Sequence, residues 1–219
     1  MSSTYDVFIG IDPGIQGAVT ILCGTEYHIY DVATKVEIVK KKKKKVYDLK
    51  GMFDTLNSFS GKKVICAVEK VATRPGEGTV SAFTFGQGVG YWKMAVVACG
   101  FELVEVLPRT WKKIYPELIT HQIELLKIEI GKLKFDVKNK KNELSGKRMN
   151  KKDKLDIQGI NKEINRLNRQ VKSAAKDAAR ALAVKLFPDK FDMFKRKKDD
   201  GRAESALIAT YIKNNYELV

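Results

Sequence analysis

The chain has 219 residues, 44% of them hydrophobic, and its 41 Lys and Arg outnumber 26 Asp and Glu to leave a net charge of +15. The apolar share is ordinary for a soluble domain with a substantial core, while the charge favours a polyanionic partner, nucleic acid first. No long apolar segment or lipidation motif supports a membrane partner.

Cys23, Cys66 and Cys99 sit in apolar surroundings and read as reduced, buried thiols of a cytosol-like compartment. His28 and His121 have no ligand-spaced partners, which argues against a zinc site built from His and Cys. Any metal would be held by carboxylates, so a hard cation such as Mg²⁺ or Mn²⁺ is expected. The first six residues have neither the charged start nor the apolar core of a signal peptide, and they are too few for a transit peptide. The expected location is cytoplasmic, or a nucleoid or viral replication site, rather than secreted.

Val7, Phe8, Ile9 and Ile11 form an apolar run broken only by Gly10, as in a strand buried on both faces. Asp12 stands where the run ends, and Pro13-Gly14 is a turn signal. Ala18 to Leu22 returns at hairpin spacing. Tyr27 to Val32 predicts a third strand, which Val36 to Val39 extends or continues. Lys40 to Lys45 is an unbroken lysine run, read either as a solvated loop or as a phosphate-contacting or import-like patch. Leu49, Met52, Phe53 and Leu56 recur at helical spacing, and Gly61 marks the stop.

A fourth apolar strand, Val64 to Val68, runs straight into Glu69. Ala72 to Thr79, with Arg74, Pro75, Gly76 and Gly78, reads as a loop beside that acid. Val80 to Cys99 predicts a helix whose glycines imply close approach of another backbone, from the sheet or from a partner subunit. Phe101 to Leu107 is a further strand, ended by Pro108. Arg109-Thr110-Trp111-Lys112-Lys113 is either a nucleic-acid-contacting segment or a helix start with Trp111 in the core. This order predicts an α/β fold: a mixed sheet with an antiparallel three-strand start, then parallel strands, flanked by helices.

From about 118 to 171 the texture changes. Ile119, Ile123, Leu126, Ile130, Leu133 and Val137 alternate steps of four and three, and Ile157, Ile160, Ile164, Leu167 and Val171 resume the pattern. Lys138 to Asp156 between them is polar, with Ser145-Gly146 as the clearest break. Two heptad stripes around one break predict an inserted, basic, antiparallel helical hairpin within a single domain spanning 1–219. It reads as a solvated insertion, a DNA arm or a dimer contact. The second helix runs through Ala174, Ala178, Ala181 and Leu182 to Phe187, where Pro188 stops it. Asp199 or Asp200 then caps a terminal helix whose apolar face is Ala206 to Ile212.

Asp12 and Glu69 each end an apolar strand, while Asp200 and Glu204, four apart, share one face at a helix start. If the two strands are neighbours, these acids converge and repel unless cations neutralise them. Two Mg²⁺ ions about 3.5–4 Å apart meet that need and suit attack of water on a phosphodiester.

Ile9-Gly10-Ile11-Asp12-Pro13-Gly14, Val68-Glu69-Lys70 and Asp200 to Leu207 resemble the three acidic motifs of RuvC-type Holliday junction resolvases. Ser81 to Gly86, Pro108 with Trp111-Lys112-Lys113, and Ala178 to Pro188 resemble that family too, especially its phage and plant-chloroplast branch. The resemblance covers roughly 5–115 and 172–215. It implies an RNase H-like fold, a homodimer, and paired symmetrical nicks in four-way junction DNA by a crossover junction endodeoxyribonuclease. Asp12, Glu69, Asp200 and Glu204 would be catalytic metal ligands for two Mg²⁺ (or Mn²⁺) ions, with Asp199 sharing or replacing the role of Asp200. Lys70, Arg74, Arg109, Lys112, Lys113, Lys197, Lys198 and Arg202 are the candidate DNA contacts.

Two features depart from the family pattern. Many members end with two Asp three apart, and bacterial members often carry an aromatic where this chain has Ala72. Phe83 and Phe85 are the candidates to stand in as a junction wedge, with core packing the expectation for both. Three alternatives stay open: another two-metal nuclease of the same fold acting on RNA–DNA hybrids or strand ends, a non-catalytic junction-binding protein, and an actin-like or sugar-kinase ATPase. The last needs a duplicated domain and a second phosphate loop, for which 219 residues leave no room, so no nucleotide cofactor is expected.

Overall fold

A computed structural model describes residues 5–39, 41–70, 78–144 and 150–216. The chain divides into two compact units, Met1–Pro116 with Ala179–Val219, and Glu117–Ala178.

The first unit is built on a five-stranded sheet. Its strands are β1 (Val7–Asp12), β2 (Ala18–Cys23), β3 (Glu26–Asp31), β6 (Val64–Glu69) and β7 (Glu102–Val106), in the spatial order β3-β2-β1-β6-β7. The β1–β2 and β2–β3 pairs are antiparallel, whereas β1–β6 and β6–β7 are parallel. An antiparallel meander followed by parallel strands on the far side of β1 is the RNase H-like arrangement. Residues alternate across a strand, and both faces of β1 are covered. Val7, Ile9 and Ile11 pack with Met52 and Leu56 of α1 (Leu49–Asn57) and Trp92 and Val96 of α2 (Thr79–Ala98). Gly10 faces the other way, where a Cβ would overlap the Ala209 nitrogen and the Ser205 carbonyl of α7 (Asp200–Tyr216). The missing side chain lets α7 lie directly on β1, and the Thr20 and Ser205 hydroxyls share a buried 2.8 Å hydrogen bond there.

Two expectations fail between β3 and α1. Val36 to Val39 does not extend the third strand, and the lysine run is not a loop. β4 (Thr34–Val39) and β5 (Lys42–Tyr47) form a separate antiparallel ribbon, with Val36 opposite Lys45 and Ile38 opposite Lys43. The residues from Lys35 to Val39 and from Lys41 to Lys45 are exposed. A ribbon solvated on both faces needs no apolar alternation, so the pattern that marks a half-buried strand is absent. Lys41 carries a φ of 62° at the turn. Lys40 lies outside the described residues.

The predicted elements of this unit keep their expected order, with short turns added before α7. Pro108–Lys113 forms α3, with Trp111 fully buried. Phe191–Phe194 is a single turn, α6, and Lys197–Asp199 is a 3₁₀ turn leading into α7. Among the α2 glycines, only Gly88 meets another backbone as expected: a Cβ there would lie 2.8 Å from the Pro13 carbonyl oxygen and would overlap Tyr47. Gly86 and Gly90 face open space. Phe83, expected in the core, is 67% exposed.

In the second unit, α4 (His121–Glu143) starts at Thr120, whose hydroxyl accepts from the Ile123 N–H at 3.3 Å. It packs along α5 (Lys151–Leu186), which belongs to this unit as far as Ala178. Ile130, Val137, Ile157, Ile164 and Leu167 form the seam, flanked by Leu126, Leu133, Ile160 and Val171. The helices reach further into the polar stretch than expected, because its described lysines lie on solvated faces and Lys140 pairs with Asp156 at 2.7 Å. The Ser145-Gly146 break lies outside the described residues. Among the described residues no helix is long and apolar enough to cross a membrane.

Candidate active site

The β1–β6 register ends at Ile11 opposite Val68, so Asp12 and Glu69 are the next residues on adjacent parallel strands. The third acid comes from α7, whose position over β1 is set by Gly10. Gly201, on the first turn, makes a similar close approach: a Cβ there would stand 2.6 Å from the Gln16 carbonyl oxygen and 3.0 Å from Asp12 Oδ2. One turn on, Glu204 faces the same edge.

Electrostatics tie the three acids together. Asp12 is pushed up from its ordinary value of 3.8 to about 7, first by burial, then by the charges of Glu204 and Glu69. The Gly14 N–H, 3.3 Å from Asp12 Oδ1, and the Lys112 ammonium oppose that rise. Glu69 is buried and accepts a 3.0 Å hydrogen bond from the Trp111 indole N–H. Lys112 Nζ donates to Glu204 Oε1 at 2.8 Å and lies 4.8 Å from the centre of the Trp111 ring. Helix α3 therefore delivers one donor to each glutamate from neighbouring positions. Of the two sequence readings of this segment, the structure shows the helix start with Trp111 in the core, and the polar edge of that core residue reaches Glu69.

The other two candidate acids have different surroundings. Asp200 pairs with Arg180 of α5. Asp199 is buried, accepts from the Arg196 backbone N–H at 2.9 Å, and pairs with the Arg196 and Arg202 guanidinium groups at 2.9 and 3.5 Å. Although burial opposes it, the Arg196 contacts hold the Asp199 carboxyl below the usual range. Asp199 thus closes the turn before α7.

Of the candidate DNA contacts, Lys70, Arg109, Lys113, Lys197 and Lys198 are exposed. Lys112 is engaged by Glu204 as described. Arg202 is largely covered and holds Asp31 through two 2.6 Å hydrogen bonds. Arg74 lies outside the described residues. Sequence reasoning missed Arg180, an arginine in an alanine-rich helix, and the pairing of Lys112 with Glu204, because partners 92 residues apart leave no local signal.

Asp12, Glu69 and Glu204 offer only carboxylate oxygens, which suits a hard divalent cation, and their mutual repulsion is the kind a cation relieves. In charge and donor chemistry the set fits. Among the described residues, however, no three such groups stand close enough to hold a metal ion as they are; Trp111 and Lys112 occupy positions beside the two glutamates.

No protein-family model matches the chain, and no curated protein does. Among solved structures, Thermus thermophilus RuvC in complex with a Holliday junction substrate is similar at 16% identity, covering 57% of this chain and 77% of that one, with a TM-score of 0.32. A likeness that slight carries no argument about activity. The class defined here rests on strand order and acid placement: an RNase H-like α/β domain with three coupled carboxyl groups at one edge of its sheet.

Proposed function

We propose that the protein is a divalent-cation-dependent endonuclease that resolves four-way DNA junctions by paired nicks. The observation that carries this reading is the convergence of Asp12, Glu69 and Glu204 from three separate elements, where burial and then the charges of the two glutamates move Asp12 to about 7. Carboxyl groups so crowded cost stability when ionised, and that cost is offset when they bind cations.

Asp12, Glu69 and Glu204 would hold Mg²⁺ or Mn²⁺, with Asp200 entering only by leaving Arg180. Two such ions, when bound, supply an activated water and neutralise charge on the leaving 3′ oxygen. The chain's own residues do the positioning. Trp111 orients Glu69, while Lys112 supplies positive charge beside Glu204 and Asp12. The Gly14 N–H fixes one Asp12 oxygen, and Gly201 leaves the other uncovered by a side chain. The net charge of +15 supports a polyanionic substrate.

A homodimer is supported by α2. Val80, Phe83, Met94 and Val97 are exposed, Gly86 and Gly90 face open space, and at 3.6 residues per turn all six fall within about 120° of the helix surface. A stripe of that kind matches a second copy of itself across a two-fold axis.

The test is purified protein on a mobile four-way junction, a linear duplex and an RNA–DNA hybrid, each with Mg²⁺ or EDTA. Paired symmetrical nicks confined to the junction and dependent on Mg²⁺ are expected. Preferential hybrid cleavage or end trimming would replace this reading with another nuclease of the same fold. Cleavage undiminished in Asp12→Asn would remove the carboxylate site altogether.

A further inference from the structure

A cavity of about 270 Å³ lies beside the β1–β2 turn, and Asp12 is not among the residues that line it. Its walls come from that turn (Gln16, Gly17), the end of β3 (Asp31), the ribbon strand β5 (Lys45), and the segment from Arg196 to Arg202. It has room for several water molecules at about 30 Å³ each.

Its charges are unevenly committed. Four cations line it, Lys45, Arg196, Lys198 and Arg202, against two carboxylates, Asp31 and Asp199. Arg202 holds Asp31 at 2.6 Å through two nitrogens, and Arg196 holds Asp199 at 2.9 Å. Those pairs neutralise each other, so the excess rests on Lys45 and Lys198, both exposed. The arginines are braced by their acids, whereas the lysines reach the opening on flexible stems.

We propose that this cavity seats a phosphodiester group of a nucleic-acid strand, with Lys45 and Lys198 as its charged contacts. The choice of nucleic acid as the anion rests on the nuclease reading above. The ribbon favours a strand over a free anion. Lys43 and Lys45 alternate onto the same β5 face as Tyr47, about 6.8 Å apart at strand rise, so a row of cations leads away from the cavity. The ribbon is also anchored to the carboxylate site: the Tyr47 hydroxyl donates to the Pro13 carbonyl at 3.2 Å, one residue past Asp12. A phosphate held at Lys45 would therefore fix the strand a short distance from the one at Asp12, and the lysine run would act in register-setting rather than in general attraction.

The experiment is junction binding by fluorescence anisotropy in EDTA, which prevents cleavage, across a series of salt concentrations. Lys45→Gln/Lys198→Gln is expected to weaken binding about tenfold and to flatten the log–log salt slope by nearly 2, the value for two lost phosphate contacts. The charge-matched control is Lys62→Gln/Lys63→Gln, just before β6 and beside the start of β1, at the opposite end of those strands from Asp12 and Glu69. It is expected to change both quantities much less. Equal losses in the two variants, or no loss in the first, would overturn the cavity while leaving the nuclease reading in place. Absence of DNA binding by the unaltered protein would overturn both.

Discussion

Replacing Asp12 by asparagine should make the protein more stable above pH 7 when no divalent cation is present. Asp12 rises from 3.8 to about 7 on folding, so between those values the folded state binds a proton that the unfolded chain releases. The stability associated with that proton is complete below pH 4, falls as pH rises, and is gone above 7. At about 1.4 kcal/mol per pH unit the full interval is worth about 4 kcal/mol. The side chain keeps some surface open to water, so screening brings the expected gain nearer about 2–4 kcal/mol. For a chain of this size that is a rise in Tm of roughly 5–15 °C. Thermal unfolding of both proteins in EDTA, from pH 4 to 8.5, is the assay. The curves should meet near pH 4, separate as the pH rises to 7, and level off above it. Added Mg²⁺ should then raise the Tm of the unaltered protein and leave the Asp12→Asn variant unchanged. An Asp12→Asn protein no more stable than its parent at pH 8 would refute the account of crowded carboxyl groups.

Further expectations test the packing and the site. Trp111→Phe removes the donor to Glu69, whereas Trp92→Phe removes a buried indole N–H that has no partner among the described residues; denaturant titration should find the first costlier by about 1–3 kcal/mol. Gly10→Ala forces α7 off β1 and should cost at least about 2 kcal/mol by the same measurement, with junction cleavage lost alongside. Lys41→Gly relieves a left-handed backbone position and should add about 1 kcal/mol of stability. Phe83→Glu should shift a dimer towards monomer in sedimentation velocity without lowering Tm; an unchanged sedimentation coefficient would remove α2 as the contact.

The centre of the sheet was legible because its strands are short, almost wholly buried and bounded by turn residues, as Val7–Asp12 and Val64–Glu69 show. Acids at the ends of such strands stand out against an apolar background, and α7 was marked by its two acids four apart. The ribbon was hidden because lysines paired in water follow no burial period. The division of labour among Asp199, Asp200 and Glu204 was hidden for another reason. It depends on which cation each acid meets, and Arg180, Arg196 and Lys112 reach them from three different elements.

The seating of α7 on Gly10 also has a temporal side. Asp12 and Glu204 stand near opposite ends of the sequence described here, and β1 and β2 gain one of their two coverings only from α7. During synthesis, β1 and β6 can pair long before Glu204 has been made, yet the acidic cluster stays incomplete and the Gly10 groove open to water. Contacts so distant along the chain form slowly. A nascent or proteolytically shortened chain that lacks α7 would therefore carry the basic surface without the completed acid cluster; under the proposed function it would hold nucleic acid before it could act on it.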